Sequence, residues 1–182
     1  MSPRVTRRDA REWALQILFW LDMNPVPDDA DMEAVFEEFW SGQLRQKLET
    51  QHKDITHETF TGAWRNQVGE KRLRKFTETL VLGVREHRKA IDDLLIKYAE
   101  NWDITRFGGS ERNALRIGIY ELKFAAKPTP IAVAINEAVD VAKFFGAQGG
   151  GRFVNGILDR IAKEGSPEPA PSEWTPQEES DQ

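Results

Sequence analysis

Residues 129–162, TPIAVAINEAVDVAKFFGAQGGGRFVNGILDRIA, decide the fold of this chain. Apolar side chains recur three or four positions apart, which predicts a helix with Thr129 as N-cap and Pro130 in the first turn. Its core face carries Ile131, Ala134, Ile135, Ala138, Val141, Ala142 and Phe145. The glycine-rich segment 146–151 ends this helix, and a last helix over 152–162 buries Phe153, Ile157, Leu158 and Ile161. The segment therefore predicts two amphipathic helices joined by a glycine loop.

Helical spacing continues upstream of this pair. Thr6 and Asp9 form a capping-box-like start for a helix over about 7–23, and a second helix begins near Asp31. The apolar stripe over about 72–98 predicts one long helix or two that join near Gly83. A loop over 103–109 precedes a helix from Ser110 to Leu122. Since no segment alternates with period two, we expect an all-α fold of six or seven helices around one core.

Composition places the chain among globular proteins of one domain. It has 182 residues and no cysteine, which excludes disulfides, thiolate metal sites and thiol nucleophiles. It contains neither an apolar run long enough for a membrane span nor a signal peptide, so we expect a cytoplasmic protein without a membrane partner. The net charge of −5 comes from acidic residues concentrated in 28–38 and after Lys163, and the rest of the body is mildly basic. We expect a domain over 1–164 and a disordered, acidic, proline-rich tail over 165–182.

Catalytic motifs are lacking. His52 and His57 are five positions apart, which places them on different faces of a helix, and His87 is remote from both. No nucleophile elbow or phosphate-binding P-loop occurs. We therefore expect no enzyme activity, no metal and no cofactor.

Two segments carry residue types that suit RNA. Arg4, Arg7, Arg8 and Arg11 cluster at the start of the first helix, where cations oppose the helix dipole, and this favours a ligand role over a merely solvated face. The glycine loop runs into a helix N-terminus at Arg152, with Phe145 and Phe153 on either side. Basic groups beside stacking rings are typical of single-stranded RNA binding. The alternative is that both phenylalanines belong to the core and the glycines only link two helices.

Four strings of the sequence resemble the NusB family of transcription antitermination factors. They are TRRDAREWALQILF (6–19), ERNALRIGIYELKF (111–124), PIAVAINEAVDVAKFFGA (130–147) and RFVNGILDRIAKE (152–164). The combination of AINEAV with FVNGILD is specific to that family. Residues 26–72 show no such likeness, which suggests an insertion.

The resemblance implies two helical bundles that share one compact domain and bind a boxA-type single-stranded RNA. It implies a heterodimer with NusE, a small-subunit ribosomal protein, that assists RNA polymerase in an antitermination complex, notably on ribosomal RNA operons. By motif, Arg7, Arg8 and Arg11 would bind RNA phosphates. The rest of the RNA surface would comprise Lys143, Phe145, Gln148, Arg152, Phe153 and Asn155. The partner surface would comprise Glu111, Arg116, Tyr120 and Glu121, on the exposed part of their helix.

Two departures from the family pattern support an alternative function. Asp9 interrupts the run of arginines, and the loop 148–151 lacks charged side chains, so we expect weaker RNA affinity. A helical adapter that binds the NusE-type partner without RNA is the competing hypothesis. Kinship with the RNA-binding domain of ribosomal RNA cytosine methyltransferases is disfavoured, because the chain has neither a methyl-donor domain nor a cysteine nucleophile. The sequence leaves open whether the chain is a monomer or a homodimer.

Overall fold

The computed structural model describes residues 6–44, 71–99 and 108–164, and all its regular elements in these ranges are helices. They are α1 (Arg7–Met23), α2 (Met32–Trp40), α3 (Lys71–Glu86), α4 (Arg88–Tyr98), α5 (Gly109–Ile119), α6 (Ile131–Phe145) and α7 (Gly150–Lys163), and a π-helical segment (Tyr120–Phe124) continues α5. The predicted all-α class is confirmed. The expectations about Arg4, the loop 103–107, most of the insertion and the acidic tail fall on residues outside the described ranges.

Local signals in the sequence fix the start of α1. The Thr6 backbone N–H donates to Oδ2 of Asp9 at 2.6 Å, which confirms the predicted capping box. From there α1 buries its apolar stripe against α3, where the Thr77 hydroxyl donates to the Ala10 carbonyl at 3.1 Å. The first helix is therefore set by its own cap and by the close approach of α3.

Aromatic side chains join α1, α2 and α3. The rings of Trp13 and Trp40 meet edge to face with centroids 5.4 Å apart. Trp40 also donates from Nε1 to Oε1 of Glu78 at 3.0 Å, which ties α2 to α3. These three helices form the N-terminal part of the fold.

Helix α5 lies at the centre of the C-terminal part. It packs against α1, α3, α4, α6 and α7, and almost every side chain it carries is buried. Helices α6 and α7, which the glycine loop joins, pack against each other as well as against α5. Because α5 has so little exposed surface, its polar residues must find partners inside the protein.

Four helix boundaries differ from those predicted. The stripe over 72–98 divides at His87 and not at Gly83. Gly83 lies inside α3, where the absence of a side chain leaves room for the ring of Tyr120, since a Cβ there would overlap that ring. Helix α5 begins at Gly109 with Gly108 as N-cap, and α6 begins at Ile131 with Pro130 as N-cap. Helix α7 begins two residues before Arg152, inside the glycine run. None of the described helices is both long enough and apolar enough to cross a bilayer.

Candidate nucleic-acid interface

The N-terminal turn of α1 presents two exposed arginines. Arg7 and Arg8 are both exposed, and Arg8 pairs through Nη2 with Glu137 at 3.0 Å and with Asp140 at 2.6 Å. Both carboxylates belong to α6, so these ion pairs fasten the start of α1 to the middle of α6. The hydrogen bond to Glu137 raises the pKa of Arg8 despite its partial desolvation, and the arginine remains charged.

Arg11, predicted to bind RNA phosphates, is a buried structural residue. It is 3% exposed, and its guanidinium donates from Nε and Nη2 to the two oxygens of Glu121 at 2.8 and 2.7 Å. The expectation of an accessible Arg11 is therefore wrong. The apolar stripe of α1 did not reveal this, because the partner lies 110 positions away in the sequence.

A partly exposed stripe on α6, with Val133 and Phe144 exposed and Glu137 and Asp140 partly buried, continues the surface that Arg8 starts. Val133, Glu137, Asp140 and Phe144 follow helical spacing, so they share the face against which Arg8 lies. Phe144 is 52% exposed, whereas Phe145, predicted to line the RNA surface, is 5% exposed in the core. The two rings meet edge to face at 4.8 Å, which braces Phe144. Sequence reasoning missed Phe144. The spacing of core residues in α6 could have revealed it, because that spacing ends at Phe145 and therefore places the adjacent Phe144 on the solvent side of the helix.

The glycine loop forms the other end of this surface. Gly149 has φ of +91°, which favours glycine, and a Cβ at Gly151 would meet the Lys143 side chain at 2.7 Å. The stem of Lys143 therefore packs on the start of α7, while its ammonium lies 3.9 Å from Asp140. The predicted residues that lie exposed here are Lys143, Gln148, Arg152 and Asn155; Phe153 is partly buried.

Glu111 holds the glycine loop in place from below. Its Oε1 accepts a hydrogen bond from the Ala147 backbone N–H at 2.6 Å. A Cβ at Gly146 or Gly150 would come within 2.5 or 2.8 Å of the same oxygen, so these glycines leave room for the carboxylate. The loop is thus built around a buried charge that sequence analysis assigned to the partner surface.

The other residues predicted for the partner surface are buried as well. Arg116 donates to Asp92 at 2.8 Å and to Asp22 at 3.2 Å, Glu121 pairs with Arg11, and the Tyr120 ring fills the space that Gly83 leaves. The expectation that Glu111, Arg116, Tyr120 and Glu121 lie on an exposed part of their helix is wrong, since all four are less than 10% exposed. The physical reason is the central position of α5, whose polar groups are paired inside the fold.

Acidic groups accompany the cations of this face. Burial raises the pKa of Glu12 to about 7, and the nearby charges of Asp9 and Glu137 add to this against the opposing effect of Arg8. Negative charge therefore lies next to Arg8 on α1 as well as on α6. The negative charge that Glu12 carries depends on pH near neutrality, because the pKa of Glu12 lies there.

The described residues contain no cluster of three or more acidic or histidine side chains that could hold a metal ion. His87 stacks on Phe124 with ring centroids 4.8 Å apart, which gives it a packing role. His52 and His57 lie outside the described ranges.

Comparison with known proteins identifies the family. The NusB family model matches residues 67–163. A transcription antitermination protein NusB from Bdellovibrio bacteriovorus is 32% identical over 157 residues, which cover 86% of this chain and 95% of that protein. The structure of Thermotoga maritima NusB is similar with a TM-score of 0.63 at 32% identity, covering 91% of this chain and 96% of that one. A crystal structure of the antitermination factors NusB and NusE in complex with dsRNA is similar with a TM-score of 0.57 at 27% identity, covering 87% and 96% of the two chains. This chain belongs to the NusB family.

Proposed function

We propose that this chain is an RNA-binding transcription antitermination factor that binds boxA-type single-stranded RNA together with NusE and promotes transcription of ribosomal RNA operons. It would act in the cytoplasm as part of an RNA polymerase antitermination complex. The observation that carries the proposal is a set of four exposed cations on adjoining helices. Arg8 of α1 and Lys143 of α6 both lie beside Asp140, and Lys143 packs on Gly151 at the start of α7. Arg7 and Arg152 are the exposed sequence neighbours of Arg8 and Gly151. The names of the relatives and the solved complex of NusB, NusE and dsRNA support it. Family membership makes the chain a non-enzymatic factor.

The side chains of this face would contact different parts of the RNA, according to their chemistry. The four cations bind phosphates, since guanidinium and ammonium groups neutralise the RNA backbone. Gln148 and Asn155, both exposed, offer hydrogen bonds to base edges. Phe153 and the exposed Phe144 supply rings against which bases stack. Arg4, which lies outside the described ranges, is proposed from the sequence as a further phosphate contact.

In this proposal the four residues predicted for the partner surface are buried and support the surface without contacting the partner. Glu111 fixes the glycine loop, while Arg116 and Glu121 fix α5 against α4 and α1. Tyr120 sets the approach of the π-helical segment to α3. They position the surfaces that RNA and a NusE-type partner would contact.

Fluorescence anisotropy with labelled boxA-type RNA tests the proposal. The wild-type chain is measured with and without NusE at two salt concentrations, beside Arg7→Ala, Arg152→Ala and the control Lys89→Ala. Lys89 is an exposed cation on α4. It lies far from the candidate surface, because the adjacent Arg88 pairs with Asp22 at the C-terminal end of α1, opposite to Arg7 and Arg8. We expect binding that NusE strengthens, a slope of about −0.7 per neutralised phosphate on log salt, and loss only in the first two variants. Solution mass on the same samples decides between monomer and homodimer.

The second candidate is an adapter that binds the NusE-type partner without RNA. The pairing of Arg8 with Glu137 and Asp140 favours it, because these carboxylates neutralise a cation that RNA would otherwise use. Partner binding without any RNA binding, at either salt concentration, would select this function and exclude the first.

A further inference from the structure

A recess of about 700 Å³ opens beside the start of α1. It lies between α1, α3 and the segment that leads into α6, and its walls include Arg7, Phe76, Lys127, Pro130, Val133 and Glu137. Its volume lies in the range of sites that hold a small molecule. It adjoins Arg8, so it continues the candidate RNA surface on the side away from Phe144.

One wall of the recess is an arginine backed by an aromatic ring. The Arg7 guanidinium carbon lies 5.3 Å from the ring centroid of Phe76, in cation–π contact. Pro130 and the 45% exposed Val133 form an apolar wall. A planar guanidinium and an apolar wall are surfaces on which a nucleobase stacks or packs.

The charge of the recess suits a phosphate. Within the described part of the chain, neither Lys127 nor the Arg7 side chain forms an ion pair, whereas Arg11 is paired with Glu121. The Glu137 carboxylate is offset by Arg8 at 3.0 Å and by Arg11 at 3.5 Å. The free positive charge therefore comes from Arg7 and Lys127.

We propose that this recess binds a single nucleotide of the bound RNA. The base enters between the Arg7 guanidinium and the wall of Pro130 and Val133, and Lys127 binds the adjoining phosphate. The inference rests on the proposed RNA-binding function and adds to it a site that holds one unstacked base. The recess combines a stacking surface with free positive charge, which neither Arg8 nor Phe144 provides alone.

Two matched pairs of variants test the recess. Val133→Trp fills it, while Ile131→Trp places the same ring on an exposed position of the same helical turn that does not line it. Lys127→Ala removes the proposed phosphate ligand, with Lys89→Ala as control. Each protein is titrated, with NusE present, with boxA-type RNAs that carry 2-aminopurine at one position at a time.

We expect one 2-aminopurine position whose fluorescence changes on binding to wild type and to Ile131→Trp but not to Val133→Trp. Val133→Trp should lower RNA affinity roughly tenfold or more, and Lys127→Ala should reduce the salt slope by about one phosphate contact. If wild type binds RNA but Val133→Trp binds as tightly as Ile131→Trp, the recess proposal is overturned and the proposed function stands. If wild type binds no RNA even with NusE, both are overturned.

Discussion

The guanidinium of Arg11 and the carboxylate of Glu121 form a two-point ion pair, 2.8 and 2.7 Å long, inside the protein. Arg11 belongs by sequence to an arginine-rich surface, yet it joins α1 to the segment after α5. Thr129 donates a further hydrogen bond to the same carboxylate at 2.8 Å. The arginines of α1 therefore divide into two that face solvent and one that holds the fold.

Arg11→Ala is expected to destabilise the protein far more than Arg7→Ala. Removing one partner of a buried ion pair leaves an uncompensated charge and costs about 3–5 kcal/mol, whereas the exposed Arg7 should change the free energy of unfolding by less than about 1 kcal/mol. Urea denaturation measures both. An Arg11→Met/Glu121→Leu double variant should recover much of the loss, and equal stability of Arg11→Ala and wild type would contradict the structural role.

Gly150→Ala and Gly156→Ala are expected to act in opposite directions. A Cβ at Gly150 would lie 2.8 Å from Glu111 Oε1, whereas a Cβ at Gly156 meets nothing within 4 Å. Alanine at Gly156 should stabilise α7 by up to about 1 kcal/mol through helix propensity. Alanine at Gly150 should lower the melting temperature and speed amide hydrogen exchange at Ala147, whose N–H bonds to Glu111. Equal melting temperatures for the two variants would show that the carboxylate does not organise the loop.

Stability should fall as pH rises from about 4.5 to about 7 because of Glu12. Burial raises its pKa to about 7 from the ordinary value of 4.5, so in this window the folded chain keeps a proton that the unfolded chain has released. The unfolding free energy then decreases with pH, by on the order of 1–2 kcal/mol for this group, because water partly screens a side chain that is only partly buried. Glu12→Gln should flatten the profile and stabilise the protein at pH 8, unlike a control Glu33→Gln at an exposed position of α2. Parallel profiles for wild type and Glu12→Gln would refute the assignment.

Phe144→Ala is expected to weaken RNA binding, with a loss of stability of no more than about 1 kcal/mol from the edge-to-face contact with Phe145. The 52% exposed ring lies on the face of α6 that holds Arg8, and one stacked base is worth about 1–3 kcal/mol. Phe144→Trp should keep the affinity, and Ile96→Ala, which trims an exposed apolar side chain on α4, should change neither property. Anisotropy titrations of the four proteins make the comparison. Wild-type affinity in Phe144→Ala would remove Phe144 from the RNA surface.

Sequence signals that lie within one or two helical turns correctly predicted local structure. The capping box of Thr6 and Asp9 formed as expected, and the apolar spacing located α1, α6 and α7 to within two residues. The break of the long stripe was misplaced because Gly83 has a packing role: the ring of Tyr120 occupies the space where a side chain would lie. A glycine that accommodates a distant ring cannot be told from a helix breaker by its neighbours in sequence.

The sequence by itself determined the all-helical class, the core stripes and the segments that carry basic groups, because these depend on side chains a few positions apart. Only the tertiary structure decided which polar residues reach solvent. Arg11, Glu111 and Glu121 look like surface residues by type, but their hydrogen-bond partners lie far along the chain, 110 positions away for Arg11 and 36 for Glu111. A buried charge is stable only beside its partner, and the packing of α5 among its neighbours brings those partners together.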